Sequence, residues 1–347
     1  MNGQTTSERQ HRPPALRVEN LYTVYRNGAQ ETSVVRGVSF DVHSGEIIGL
    51  VGESGSGKST VLKSLLDLIG ENGQARADVL EVAGRDVRSL PRAEYRQMRG
   101  VELAFISQDP ANAFNPAWTI GSQFRRMLKR HSPGLSRREL DAWAIELLKA
   151  VGIDGRGKLD SYPFQFSQGQ LQRIMIALAC ASDRLQVLLA DEPTTSLDVT
   201  IEAQVLQLIK RLRDERGLAV VLVTHNLAVV AEMCDRVLVM YAGRIVEDAP
   251  VRELFRNPRH PYTRQLLKSI PAFPRDGRRL HTMTGAVPDL SVDVPGCAFA
   301  PRCEERIDGL CERVRPVLPP PGTTARAACH LVSGTVPAAA PKGEGDD

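Results

Sequence analysis

The 347-residue chain contains no run of about eighteen apolar residues, so nothing in it reads as a membrane-spanning helix. It also lacks a dominant charge. The 44 basic and 41 acidic side chains leave a net +3 and are well mixed, which gives no electrostatic reason to expect nucleic acid as a partner. The first fourteen residues, MNGQTTSERQHRPP, have no apolar h-region and so no mark of a secretory signal. Residues 1–15 read as a disordered polar lead-in, and 333–347 as a similar tail. The compartment expected by default is the cytoplasm. What remains is 42% hydrophobic and 24% charged, a globular make-up long enough for one large domain and a smaller appendage.

Texture along the chain is consistent with that size. LRVENLYTVY and VVRGVSFDV alternate, and EIIGLVG is a compact apolar strand. KSTVLKSLLDLI repeats its apolar positions at three and four residues, as a helix does. Residues 111–186 look mainly helical, and Ser136 with Glu139 make a capping-box start for one helix. Beyond them, QVLLADEP, LAVVLVTH and RVLVMYAGRIVE read as strands, the last a hairpin turning at Ala242-Gly243. The helices between them are TIEAQVLQLIKRLRDERG, ending at Gly217, and LAVVAEMC. Apolar strands alternating with amphipathic helices predict an α/β fold around a mostly parallel sheet. A Pro-rich change of texture near Asn257 suggests a boundary, giving a main domain over 16–256 and an extension over 257–332. No internal repeat is present.

Two segments carry chemistry. Gly52-Glu53-Ser54-Gly55-Ser56-Gly57-Lys58-Ser59 fits G-x-x-x-x-G-K-[ST] between a predicted strand and a predicted helix. Glycines at 52, 55 and 57 let backbone wrap a phosphate, and N–H groups of the loop and helix start, from Ser54 to Thr60, form an anion nest. Lys58 is placed to reach the β- and γ-phosphates of ATP, and Ser59 to ligate Mg²⁺. The second segment is the strand Val187–Ala190 followed by Asp191 and Glu192. Asp191 is suited to hold Mg²⁺ through water, and Glu192 to polarise the attacking water. Ser196-Leu197-Asp198 follows; for Asp198 the plain alternative is a helix cap.

Between these segments lies Phe166-Ser167-Gln168-Gly169-Gln170, which resembles the LSGGQ element of ATP-binding-cassette (ABC) ATPases. Gln108 after ELAFIS, Asp198 after Glu192, and His225 at the end of VVLVTH match further family elements in order. The resemblance implies a P-loop cassette with a RecA-like core, an antiparallel β-subdomain and a helical subdomain. It also implies head-to-tail pairing, in which Ser167 and Gly169 of one cassette cap the γ-phosphate held by the other. On the same ground Gln108 touches Mg²⁺ or the attacking water, His225 contacts the γ-phosphate, Tyr25 stacks on adenine, and Tyr22 is a weaker candidate for that stacking. Gln108-Asp109-Pro110, Phe114-Asn115-Pro116 and Pro258-Arg259-His260-Pro261-Tyr262-Thr263, with Ile270-Pro271, narrow the resemblance to dipeptide/oligopeptide (and nickel) importers. Expected partners are therefore a second and distinct cassette subunit, two transmembrane permeases and an extracytoplasmic binding protein, with the chain at the cytoplasmic face of the membrane. A rival reading is a soluble cassette in DNA repair, translation or an enzyme complex such as phosphonate breakdown. Three departures stand out: Gln168 replaces the first LSGGQ glycine, Asn226 an aspartate common after the histidine, and Gln170 a methionine frequent in the subfamily.

Six cysteines complete the inventory. Cys180 and Cys234 sit in apolar helical contexts as small hydrophobes. Cys297, Cys303, Cys311 and Cys329 are five, seven and seventeen residues apart, with no C-x₂-C pair. Their spacing leaves free thiols, zinc (with His330 as an alternative fourth ligand) and iron–sulfur open. Resemblance to the importers' C-terminal extension implies a [4Fe–4S] cluster on the four cysteines.

Overall fold

The computed structural model describes residues 13–28, 30–195, 197–269, 285, 288–320 and 325–333. Ser196, Ile270, Pro271, residues 1–12 of the lead-in and the tail beyond 333 lie outside the described residues.

Among the described residues the chain forms two sheets. The first is antiparallel: β1 (Leu16–Asn27) pairs with β2 (Gln30–Val42), β4 (Gly73–Arg76) and β5 (Val79–Val82), and β6 (Arg85–Asp86) follows β5. The second runs β12-β11-β10-β3-β9-β8-β7, where β3 is Ile47–Val51, β7 Leu103–Ile106, β8 Val187–Asp191, β9 Ala219–Val223 and β10 Arg236–Tyr241. β10, β3, β9, β8 and β7 are parallel, and β11 (Arg244–Pro250) and β12 (Arg326–Ala327) add antiparallel at one edge. Every residue of β3, β8 and β9 is buried, which is why these strands read as apolar runs instead of alternating.

Alternate residues of this sheet feed two cores. Ile47, Leu188, Ala190, Val220 and Leu222 face a cluster shared with Phe124, Leu148 and Ile174 of the helical region. Ile48, Leu50, Leu189, Val221 and Leu238 face the antiparallel sheet and the helix Lys58–Leu65. The period of two along each strand thus joins three layers.

The helical region contains Pro110–Ala113, Ile120–His131, Arg137–Ala150 and Gln168–Ala179. Ser136 and Glu139 form the expected capping box: the Ser136 N–H donates to Glu139 Oε2 at 2.7 Å. Gly217, with φ +66°, ends the helix Val199–Arg216 where a left-handed residue is needed. The hairpin turns at Ala242-Gly243, both with positive φ.

Asn257 marks a change of texture, yet the described residues beyond it pack into the same core. Tyr262, Leu267, Phe299 and Ala325 belong to the helical-side cluster, and β12 extends the central sheet. Arg326 donates to Asp248 Oδ2 at 2.7 Å, with both side chains almost fully buried. Among the described residues no helix is long and apolar enough to cross a membrane.

Candidate nucleotide site

The loop Gly52–Gly57 leaves the end of β3 and enters the helix Lys58–Leu65. Its shape is enforced by contact. A Cβ on Gly52, at φ +152°, would lie 2.1 Å from the Met240 carbonyl, and one on Gly57, at φ +103°, would lie 2.8 Å from the Val34 carbonyl. Neither position admits a side chain without moving backbone. Ser54 and Gly55 are exposed on the rim, whereas Lys58 is buried and Ser59 and Thr60 are half-buried in the first helical turn. The Lys58 ammonium donates to the carbonyls of Gly52 and Glu53, each at 2.8 Å. Burial lowers its pKa, opposed by the charges of Glu192, Asp191 and Glu53. Both carboxylates of the second segment thus lie within electrostatic reach of the loop.

Asp191 ends β8, and its Oδ1 accepts a 2.9 Å hydrogen bond from Ser59 Oγ. Two of the three residues expected at Mg²⁺, Ser59 and Asp191, are therefore adjacent. Burial raises the Asp191 pKa; the Ser59 bond lowers it, and the neighbouring Glu192 charge raises it. Divalent metal is the natural counter-charge for such a buried, acid-flanked carboxylate.

Glu192 has φ +47°, an uncommon conformation for a non-glycine residue. Its N–H donates to the Val223 carbonyl at 2.9 Å, which fastens the turn to β9. Three groups converge on Glu192 Oε2: Gln108 Nε2 donates at 3.1 Å, Thr195 Oγ1 donates at 2.9 Å, and His225 Nδ1 lies at 3.3 Å. Three segments remote in sequence, those following β7, β8 and β9, thus meet at one carboxylate oxygen, and Gln108 and His225 are both exposed toward solvent. Thr195 was not singled out by sequence. Its only signal there is a hydroxyl three residues after an acid.

A cavity of about 560 Å³ adjoins the site, lined by Ser59, Gln108, Asp109, Phe114, Met175 and Asp191 among others. It lies between the core sheet and the helical region.

Other sequence candidates sit apart from this cluster or serve local roles. Ser167 caps the helix Gln168–Ala179: its Oγ accepts from the Gln170 N–H at 3.3 Å, and Gln170 Oε1 accepts from the Ser167 N–H at 3.0 Å. Gln170 is thereby explained as half of a capping box. Gln168 is exposed. A Cβ on Gly169 would meet Ile201 and Leu197 at ordinary van der Waals distances, so no contact among the described residues demands glycine there. Asp198 caps the helix Val199–Arg216, with Oδ1 accepting from the Ile201 N–H at 3.0 Å. Asn226 caps the helix Leu227–Met233 through its side-chain oxygen on the Ala228 N–H at 3.1 Å, a job that needs no charge. Tyr25 is half-buried on β1 beside Gly73. Tyr22 is occupied, with the Arg76 guanidinium stacked 5.1 Å from its ring centre.

Cys180 and Cys234 are buried, and burial pushes the Cys180 thiol up to about 12. Cys297 is also raised by burial, to about 11, and it feels the charges of Cys311, Cys329 and Cys303. The Cys297 N–H donates to the Cys311 carbonyl at 2.7 Å. The four thiols converge on one region, but among the described residues no three His, Cys, Asp or Glu side chains stand in a metal-holding group.

A phosphate loop at the end of a parallel strand, with two acids at the end of a neighbouring strand and a capped signature helix, defines a nucleotide-hydrolysing ATPase of the cassette class. Residues 35–195 match the model of the ABC transporter family, and residues 246–311 that of the oligopeptide/dipeptide transporter C-terminal region. A protein of Brucella abortus (strain 2308), provisionally named a peptide import ATP-binding protein, is 43% identical over 306 residues, 88% of this chain and 91% of that one. A like-named protein of Brucella melitensis biotype 1 is 44% identical over 319 residues, 88% and 94% of the two chains. The fold is similar to a dimeric ATP-binding cassette solved in a post-hydrolysis state with ADP and Pi (TM-score 0.60, 27% identity, 68% of this chain and 99% of that one). It is also similar to an ATP-binding subunit of an ABC transporter (TM-score 0.57, 26% identity, 70% and 92%). The chain belongs to the ABC transporter family, as one of its ATPase subunits.

Proposed function

We propose that this ATPase powers the uptake of dipeptides or oligopeptides from the cytoplasmic face of the membrane. Peptide as cargo rests on the relatives' names and on the match to the oligopeptide/dipeptide C-terminal region. Membrane attachment is through two permease subunits, fed by an extracytoplasmic binding protein. The observation that carries the chemistry is the convergence of Gln108, Thr195 and His225 on Glu192 Oε2 beside the Asp191–Ser59 pair.

In this reading Lys58 and the N–H groups of Ser54 to Thr60 neutralise the β- and γ-phosphates. Ser59 and Asp191 hold Mg²⁺, with Gln108 as a further oxygen ligand. Glu192 orients and deprotonates the attacking water, and His225 steadies the γ-phosphate as charge moves onto the leaving oxygen. Tyr25 offers a ring to adenine. Ser167, Gly169 and Asp198 face the nucleotide of a second cassette. Support for that pairing comes from Gly169: a glycine in the first turn of a helix costs up to about 1 kcal/mol relative to alanine, and no internal contact requires it. A partner's phosphate approaching its N–H does. Gln168 narrows that approach on this chain, which favours a distinct second cassette over a homodimer.

Resemblance of the extension to that of the importers is what supports a [4Fe–4S] centre on Cys297, Cys303, Cys311 and Cys329; among the described residues their side chains do not stand in a metal-holding group. Protein purified without oxygen is expected to hold about four irons per chain. One zinc per chain would replace that assignment, and four alkylatable thiols without metal would remove it.

Expression in the native host with an affinity tag tests the transport reading. Two membrane-embedded subunits and a second cassette should co-purify in detergent. Recovery with a soluble repair, translation or phosphonate-processing complex would select the rival reading.

A further inference from the structure

The His-Pro-Tyr segment and the cysteine-bearing segment meet at the back of the phosphate loop. His260 is fully buried, and its N–H and that of Arg259 donate to the Glu247 carboxylate at 2.8 Å each. His260 Nδ1 accepts from the Tyr262 N–H at 3.0 Å and so starts the helix Pro261–Lys268. This places the buried Tyr262 ring against Tyr241 and Phe299, with ring centres 4.5 and 5.4 Å away. Its hydroxyl oxygen accepts a 2.8 Å hydrogen bond from the Glu53 N–H, inside the phosphate loop.

The same residue is gripped a second time. Arg302, one residue before Cys303, extends both terminal nitrogens to the Glu53 carboxylate at 2.7 and 2.9 Å. Its side chain is only 5% exposed, and it also donates to Tyr241 Oη at 3.2 Å. Glu53 is in turn the residue whose carbonyl accepts from Lys58. Main-chain N–H, side-chain carboxylate and carbonyl of this one loop residue are thus all engaged, two of them by chain from beyond residue 257.

We propose that Arg302, with Tyr262, is a positioning residue of the ATP site: the C-terminal segment holds Glu53 and thereby sets the loop geometry that presents Lys58 to phosphate. The physical basis is that a bidentate Arg–carboxylate pair with its guanidinium buried fixes both distance and plane. Neutralising Glu53 leaves the buried Arg302 charge against Tyr241 and Phe299 without its counter-charge, and neutralising Arg302 frees the partly exposed Glu53 carboxylate, so in either case the loop relaxes. The inference rests on the ATPase reading of the loop and assigns the segment a task in nucleotide binding that the cassette motifs do not contain.

The test uses the full chain and a fluorescent ribose-labelled ATP analogue with Mg²⁺. Arg302→Met and Glu53→Gln should each weaken binding by roughly tenfold, and the double variant by no more than either alone, because both break one pair. Arg302→Lys should recover part of the loss, and in the assembled transporter KM for ATP should rise while kcat is retained. Circular dichroism and melting temperature identify any variant that fails to fold; Glu53→Gln, at a half-exposed site, then carries the test. Unchanged affinity in folded single variants, or losses that multiply in the double variant, would overturn the proposal. Lys58→Ala separates the two claims: if it also binds normally, the ATP-site reading fails, whereas if it alone loses binding, only the positioning role does.

Discussion

Glu192 shows what a single residue must accept to stand where the proposed mechanism needs it. Its positive φ costs on the order of 1–3 kcal/mol, and the turn persists because Val223, Thr195 and Gln108 hold it. No pattern in DEPTTSLD announces that strain, although the acid pair itself is plain. His260 is the opposite case, a titratable group with no reach to the nucleotide. Burial, reinforced by the Arg264 charge, lowers its pKa to about 3. Because the folded-state pKa lies below the ordinary value of 6.5, the unfolded chain binds a proton between pH 6.5 and about 3 that the folded chain refuses. Stability from this group is complete above pH 6.5 and falls as the pH drops, by at most about 1.4 kcal/mol per pH unit. Urea unfolding at pH 7 and pH 5 should show a larger loss in the wild type than in His260→Gln. Equal losses would mean that the imidazole is protonated in the folded state.

At the scale of elements, the strand–loop–helix units were legible because each local rule agrees with its neighbours. Strands β3, β8 and β9 are apolar throughout because both faces are covered. Ser136 with Glu139 and the stop at Gly217 are found as expected. Strands β4, β5 and β6 were not legible: GQAR, VLEV and RD are too short to carry a period, and they exist by pairing, β4 and β5 along β1 and β6 along β5. The brace on the phosphate loop was also hidden, since a Glu–Arg pair 249 residues apart leaves no local trace. The loop glycines give the sharpest prediction at this scale. Gly52→Ala puts a Cβ 2.1 Å from the Met240 carbonyl, so the loop or β10 must move. Nucleotide binding should be lost even in protein that remains folded by circular dichroism. Gly169→Ala has room within the chain and should bind ATP normally when isolated. Normal binding by Gly52→Ala would show that the cradle tolerates rearrangement.

For the whole molecule, the central sheet does two jobs. One face packs on the helical region and carries the signature helix; the other packs on the antiparallel sheet and the phosphate-loop helix. The groups proposed to react stand at the carboxyl ends of β3, β7, β8 and β9, where ligands of open α/β sheets bind. The signature helix cannot cap its own chain's phosphate in the head-to-tail reading, so turnover requires a partner. The most direct test is therefore Glu192→Gln in the co-purified transporter, followed by both ATP retention and phosphate release. The account predicts that this variant holds ATP with wild-type affinity and keeps the cassettes paired, while hydrolysis at its own site falls by about 10²–10⁴-fold. Phosphate release from that site at the wild-type rate would contradict it.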